Sequence, residues 1–415
     1  MNKEKRRVPK LRFPGFTEDW EQRKLTDIAK TFIGLVTTMT ENYRDSGTLL
    51  IRNSDIKEGQ FIFSEKPIHL DEEFAEKNKT RRLQIGDVVT VHTGDIGTSA
   101  VIKEKEAGAI GFATINTRTD KRILNPYFLS TYFNTEKHKC YANSVSTGDG
   151  RSNYNIKDFN KLVISIPTLD EQEKISALIN NINTIITLHQ RKLEHLNLKK
   201  KALLQKLFPK NGERYPEIRF PGFTDAWEQR KLGDTNTFFT DGNYGNDYPT
   251  ANEMSDSVNG VPFLRGSNLN NGAINLVDVN YITKQKHNLL TSGHTKFDDI
   301  IIAVRGSLGN CGYVAKQFID ININSQLAII RTDKNELSGL FLIEYLLSSL
   351  GKKEINCNIT GTALKQLPIN SLKMINIKYP SINEQEKISI LLSKFNASIT
   401  LHQRKLEHLQ LQKKA

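Results

Sequence analysis

The chain repeats itself, and that duplication limits its possible folds more than any other feature. Leu11-Arg12-Phe13-Pro14-Gly15-Phe16-Thr17 returns as Ile218-Arg219-Phe220-Pro221-Gly222-Phe223-Thr224. Trp20-Glu21-Gln22-Arg23-Lys24-Leu25 returns as Trp227-Glu228-Gln229-Arg230-Lys231-Leu232. Glu171-Gln172-Glu173-Lys174-Ile175-Ser176 returns as Glu384-Gln385-Glu386-Lys387-Ile388-Ser389, and the run from Thr187 to Leu196 recurs unchanged from Thr400 to Leu409. Between these blocks the halves diverge but keep a skeleton. Ile51-Arg52-Asn53-Ser54-Asp55-Ile56 aligns with Leu264-Arg265-Gly266-Ser267-Asn268-Leu269. Gly86-Asp87-Val88-Val89 followed by Gly94-Asp95-Ile96-Gly97 aligns with Asp298-Asp299-Ile300-Ile301 followed by Gly306-Ser307-Leu308-Gly309. Constant ends around variable middles imply ends fixed by a shared partner and middles that meet two different targets. With 415 residues the chain exceeds one ordinary core, as two domains require.

Both near-identical blocks read as long helices. Thr168-x-x-Glu171 after Pro167 and Ser381-x-x-Glu384 after Pro380 have capping-box spacing. Behind them Ile175, Ile182, His189, Leu196 and Leu203 recur every seven residues, interleaved with Ile179, Ile186, Leu193, Lys200 and Leu207. The second block gives Ile388, Phe395, His402 and Leu409, interleaved with Leu392, Ile399, Leu406 and Lys413. These are the two positions of a coiled-coil seam. Pro209 ends the first helix, whose roughly 37 residues would span about 55 Å, or about 16 base pairs of duplex. One apolar stripe on a helix this long needs a partner, and the other copy is the natural one. An antiparallel pair is expected, with His189 and His402 setting register in the seam and Lys200 and Lys413 laying their stems along it.

The remaining features exclude more than they assign. The helix histidines pair at i, i+6 (His189 with His195, His402 with His408), about 240° apart around the helix. They cannot converge on one ion, and no metal site is expected. Cys140, Cys311 and Cys357 lie far apart without CxxC spacing, which argues against a disulfide scaffold or zinc site built on cysteine. The longest apolar runs are strand-sized and the N-terminus is charged, so a cytoplasmic chain with no membrane span is expected. A net charge of +12 favours a polyanionic partner.

The doubled arrangement resembles the specificity subunit of type I restriction–modification enzymes. The marks are Pro167 with Glu171-Gln172-Glu173-Lys174-Ile175, Pro380 with Glu384-Gln385-Glu386-Lys387-Ile388, and the Trp20-x-x-x-Lys24-Leu25 and Trp227-x-x-x-Lys231-Leu232 entries. They also include the Gly86-Asp87-Val88-Val89 element, and the likeness covers nearly the whole chain. It implies a mixed α+β fold: target-recognition domains at 1–168 and 209–380, and helices at 169–208 and 381–415 that pair with pseudo-two-fold symmetry. It implies that each domain reads one half of a bipartite double-stranded DNA site. The helices would set the spacer and dock two adenine-N6 methyltransferase subunits, to which restriction (nuclease) subunits can be added. S-adenosylmethionine, ATP and Mg²⁺ would belong to those partners, and this chain would bind none.

Catalytic machinery is missing from the sequence. Asn125-Pro126-Tyr127 lacks the second proline of an adenine methyltransferase motif and reads as a helix start. Gly351-Lys352 has no glycine at P-loop spacing, and the Gly94…Gly97 and Gly306…Gly309 pairs fit tight turns. A non-catalytic DNA reader is therefore expected; a coiled-coil scaffold with two protein-binding domains is the alternative. Base edges and phosphates require polar and basic side chains on loops. The candidates are Arg52, Asn53, His92, Thr93, Arg151, Asn153 and Tyr154 in the first half, and Arg265, Ser267, Asn268, Arg305, Ser307, Lys365 and Gln366 in the second. Arg81-Arg82 reads as phosphate-facing or solvated, and Lys199-Lys200-Lys201 as a wet helix face.

Overall fold

The computed structural model describes residues 9–37, 40–148 and 152–414. By internal contacts the chain forms two compact units: residues up to Leu188 together with those from His408 onward, and His189–Glu407. The units therefore divide within the two long helices, Leu169–Leu207 and Ile382–Lys414, rather than at their ends.

Each unit is built on the same pair of sheets. In the first, Ala29–Ile33, Thr114–Thr119, Val88–Val91 and Ser99–Val101 form an antiparallel sheet in that order. Its second sheet runs Ile110–Phe112, Thr48–Arg52, His69–Leu70, Tyr43–Arg44, with the first two strands parallel. In the other unit Phe238–Asp241, Leu327–Arg331, Ile300–Ala303 and Cys311–Tyr313 repeat the first sheet. Asn322–Ile323, Val261–Leu264, Asn280–Ile282 and Met254–Ser255 repeat the second, again with one parallel pair.

The apolar strands divide the core because side chains alternate across a sheet. Val88 packs with Phe128, Leu129 and Phe133 of the helix Pro126–Phe133, while Val89 and Val91 face Ile51, Ile56 and Leu83. Likewise Ile300 and Ile302 face the helix Gly339–Leu347, and Ile301 and Ala303 face Leu264, Leu269 and Ile323. Asn125 caps Pro126–Phe133, its side chain accepting from the backbone N–H groups of Tyr127 and Phe128, so the Asn-Pro pair does start a helix.

The repeated sequence blocks fasten each unit to the start of its long helix. Glu21–Lys24 pairs antiparallel with Val163–Ile166, and Glu228–Lys231 with Asn376–Tyr379. The two capping-box glutamates act differently from the expectation. Arg12 donates to both carboxylate oxygens of buried Glu171 at 2.7 and 2.8 Å, and Arg219 to both of Glu384 at 2.8 Å. The adjacent glutamines complete the joint: Gln172 bridges the Asn125 N–H and the carbonyls of Ile123 and Pro167, and Gln385 bridges the Ser338 N–H and the carbonyls of Glu336 and Pro380. Lys174 sits 4.7 Å above the Phe16 ring and Lys387 4.7 Å above the Phe223 ring. The Arg-Phe-Pro-Gly-Phe and Glu-Gln blocks are thus two sides of one joint, built twice.

Along the helices the seven-residue series is sheltered. Ile175, Ile182, His189 and Leu203 are partly buried and Leu196 is buried, as are Ile388 (fully) and Phe395, His402 and Leu409 (partly). Within the second unit the pairing is antiparallel. His189 meets His402, with their Nδ1 atoms 2.8 Å apart, while Leu203 and Leu207 enter the core that holds Ile388 and Leu392. The two seam lysines do more than lay down their stems. Lys200 lies 3.1 Å from buried Glu344, which also accepts from Asn396, and Lys413 shares Glu58 with Lys139 at 2.8 and 2.7 Å. Burial opposes ionisation of Glu58, but its two ammonium partners outweigh it and hold the carboxyl below its usual range.

Candidate nucleic-acid interface

The candidate loops hang from a clamp present in both units. Buried Asp87 accepts from Arg118 Nε and Nη2 at 2.8 and 2.7 Å, and Asp299 from Arg331 at the same two distances. Each aspartate also accepts a backbone N–H, from Gln84 and Lys296 respectively. A bidentate pair of this kind fixes the start of the strand whose far end carries the candidate side chains.

In the first unit four segments converge beyond Val91. The His92 N–H donates to Asn53 Oδ1 and its carbonyl accepts from the Tyr154 N–H. Thr93 Oγ1 bridges His92 Nδ1 and Asn153 Oδ1, each at 2.8 Å, and Asn153 exchanges two backbone hydrogen bonds with Thr147. Burial lowers the His92 pKa, so its imidazole stays neutral at physiological pH and can both donate and accept. The turn that follows uses Gly94 and Gly97 at φ of 100° and 86°, a backbone that suits glycine.

The second unit repeats this frame with other side chains. The Leu367 N–H donates to the Val304 carbonyl and Gln366 exchanges two backbone bonds with Thr360, matching the Tyr154 and Asn153 contacts. On that frame stands exposed Arg305, its guanidinium 5.1 Å over the Tyr244 ring, with Nε 3.4 Å from Gln366 Oε1. Ser307, two residues on, and Lys365, the neighbour of Gln366, are also exposed, and so is Ser267 on the loop after Val261–Leu264. One backbone frame therefore presents His92, Thr93 and Asn153 in one unit and Arg305, Gln366 and their neighbours in the other.

Several candidates hold protein rather than face solvent. Tyr154 is fully buried, its hydroxyl 3.3 Å from His138 Nε2, and has no surface to offer a duplex. Asn268 is buried too, accepting from the Arg265 N–H and donating to the Asn275 carbonyl. Arg52 is bound to Asp55 through Nε and Nη2, and Asn53 spans His92 and Ala113. Arg265 donates to the Asp278 carbonyl. Arg81 holds the carbonyls of Ile33 and Gly34, and Arg82 holds Thr48 and Glu72, so neither is merely solvated. Arg151 lies outside the described residues. Among the described residues one trio has metal-ligand spacing, His287, His294 and Asp320, on segments the candidate list does not include. The sequence hid it because Asp320 joins the two histidines only in the fold.

No helix among the described residues is long and apolar enough to cross a membrane. The family model described as "Type I restriction modification DNA specificity domain" matches residues 17–198 and 224–411. The chain is 25% identical over 405 residues to the MjaX type I restriction enzyme specificity subunit of Methanocaldococcus jannaschii, covering 96% of this chain and 91% of that one. It is 22% identical to the MjaVIII specificity subunit of the same organism over 81% and 78% of the two chains. Its fold is similar to the crystal structure of a type I restriction–modification S subunit from M. genitalium, with a TM-score of 0.59 and 15% identity, over 98% of this chain and 96% of that chain. A match over both halves, joined by the duplicated frame, places the chain in the type I restriction–modification DNA specificity family, as a specificity subunit with two target-recognition domains.

Proposed function

We propose that each globular unit reads one half of a bipartite DNA site through the loops following Val91 and Ala303, and that the chain itself performs no chemistry. The observation that carries this reading is the shared hydrogen-bond frame bearing different polar side chains in the two units, half-buried in the first and partly exposed in the second. A fixed frame sets the distance to a base edge, and the identity of the side chain sets which base is accepted. Asn153 and Gln366 carry the amide geometry suited to adenine, and Arg305 the fork suited to guanine or phosphate.

On this reading the long helices hold the spacer between half-sites and dock two methyltransferase subunits, to which restriction subunits add. S-adenosylmethionine, ATP and Mg²⁺ are then used by those partners. A gel-shift titration over a series of salt concentrations tests the proposal, with and without methyltransferase subunits. The expected result is preference for one bipartite duplex on top of a steep salt dependence, as a chain of +12 charge that neutralises phosphates should give. Equal binding to all duplexes, even with the partners present, would remove it and favour a protein-binding scaffold.

A further inference from the structure

The second unit contains a constellation that the first builds differently. His287 lies on the helix Lys284–Leu289, His294 on the segment that follows, and Asp320 just before the strand Asn322–Ile323. One ligand atom from each lies within 4.8 Å of the others. His287 Nε2 is 3.5 Å from Asp320 Oδ2, and His294 Nδ1 is 3.1 Å from Asp320 Oδ1. Zinc bonds of about 2.0–2.2 Å in a tetrahedron imply ligand–ligand edges of about 3.3–3.6 Å; the 3.5 Å separation lies in that range and the 3.1 Å one, to the other carboxylate oxygen, needs to open slightly.

The outer hydrogen bonds prepare both rings for a cation. His294 Nε2 lies 2.8 Å from the Leu290 carbonyl, which can only accept, so this nitrogen carries the proton and Nδ1 keeps its lone pair. His287 Nδ1 meets the side-chain amide of fully buried Asn322, which orients the ring so that Nε2 points at Asp320. Two ring nitrogens and a carboxylate converge here, an arrangement that a cation between them stabilises. Rings oriented through their far nitrogens are the usual outer support of a metal-binding histidine. The backbone is held as well: the His294 carbonyl accepts from Arg331 Nη2 at 3.1 Å, and Arg331 is fixed by Asp299.

The first unit meets the same place with a permanent cation. His294 bridges Asn322 as Arg82 bridges Ile110, and Asn322 and Ile110 lie in the equivalent parallel strands. There Arg82 Nη1 reaches Thr48 and the carbonyl of Gly108, whose φ of 84° parallels that of Asp320 at 58°. One unit fastens this corner with a guanidinium, whereas the other gathers two imidazoles and a carboxylate.

We propose that His287 Nε2, His294 Nδ1 and the Asp320 carboxylate form a zinc-type divalent metal site, with water at the fourth position. The donor set of two imidazoles and one carboxylate suits Zn²⁺ better than Mg²⁺ or Ca²⁺, which prefer oxygen ligands. Asp320 is two-thirds exposed, so the site opens to solvent and metal can enter. The ion would pin the helix Lys284–Leu289 and the His294 segment to the parallel strand, as Arg82 does in the first unit.

The test is Zn²⁺ titration of the reduced, chelator-treated full chain, with bound metal counted after gel filtration. One Zn²⁺ per chain is expected. Asp320→Asn and His294→Ala alter partly exposed groups and should weaken binding at least about tenfold. His402→Ala, and Cys140→Ser with Cys357→Ser, should leave it unchanged. Co²⁺ in place of Zn²⁺ should give the visible absorption of a four-coordinate site and lose it in Asp320→Asn. Zinc absent from the parent chain, retained equally by both site variants, or lost in the cysteine variant would overturn the proposal.

Discussion

Asp87 and Asp299 show how a single residue type can brace, from within the core, the loops proposed to read DNA. Each is buried and each accepts a two-pronged arginine and a backbone N–H. Removing the charge leaves the arginine unpaired in a partly buried place, a change that costs about 3 kcal/mol in comparable pairs. Asp87→Asn should therefore lower unfolding stability by about that amount in a denaturant titration; a change below about 0.5 kcal/mol would show that the clamp is dispensable. Arg305 is the opposite case, exposed and stacked on Tyr244. Arg305→Ala should weaken DNA binding by about tenfold if it reads a base, with relaxed preference at one position. If it meets phosphate, the loss should be uniform across sequences and the salt slope should fall by about one. Unchanged affinity and slope would take Arg305 out of the interface. The polar loop residues were legible in the sequence as a group, yet their fates were not. Asn268 lies in the same turn as exposed Ser267, and Tyr154 is the direct neighbour of half-buried Asn153; only the packing around Asn268 and Tyr154 decides that they face inward. Burial is a property of the partners that fold brings, such as His138 against Tyr154, which stand apart along the chain.

At the scale of elements, the helices were the most legible feature, because a seven-residue period states both the element and its buried stripe. Sheltering of Ile175, Ile182, Leu196, Ile388 and Phe395 follows that period. The capping-box reading found the right helix starts, Leu169 and Ile382, but gave the glutamates a local role. Their partners, Arg12 and Arg219, come from more than a hundred residues away, and local spacing cannot reveal them. The His189–His402 contact carries its own prediction. Desolvation lowers the His402 pKa below 6.5, helped by His189, Lys405 and Lys192 nearby. A depressed histidine favours the neutral, paired form, so its contribution is present above the ordinary histidine value and is lost as pH falls through the depressed one. Melting temperature should drop between about pH 7.5 and about pH 5.5, and His402→Asn should flatten that drop. Equal pH profiles for the two chains would remove this pair from the account. Lengthening both helices by one heptad adds about 10 Å and should widen the recognised spacer by about three base pairs. An unchanged spacer would mean the helices do not measure it.

For the whole molecule, duplication is what joins sequence, fold and function. The blocks that stay constant between halves are the joints and the middle of the long helices, and the stretches that vary hang loops on a common frame. Its duplicated architecture could be read directly, because repeated joints leave repeated motifs. What each unit recognises could not, because readers of different sequences share no motif by their nature. The most direct test of the central claim is methylation-aware genome sequencing of a strain carrying the chain with residues 27–160 replaced by those of another recognition domain. The account predicts that one half of the methylated bipartite motif changes while the other half and the spacer stay the same. A change in both halves, or in neither, would contradict it.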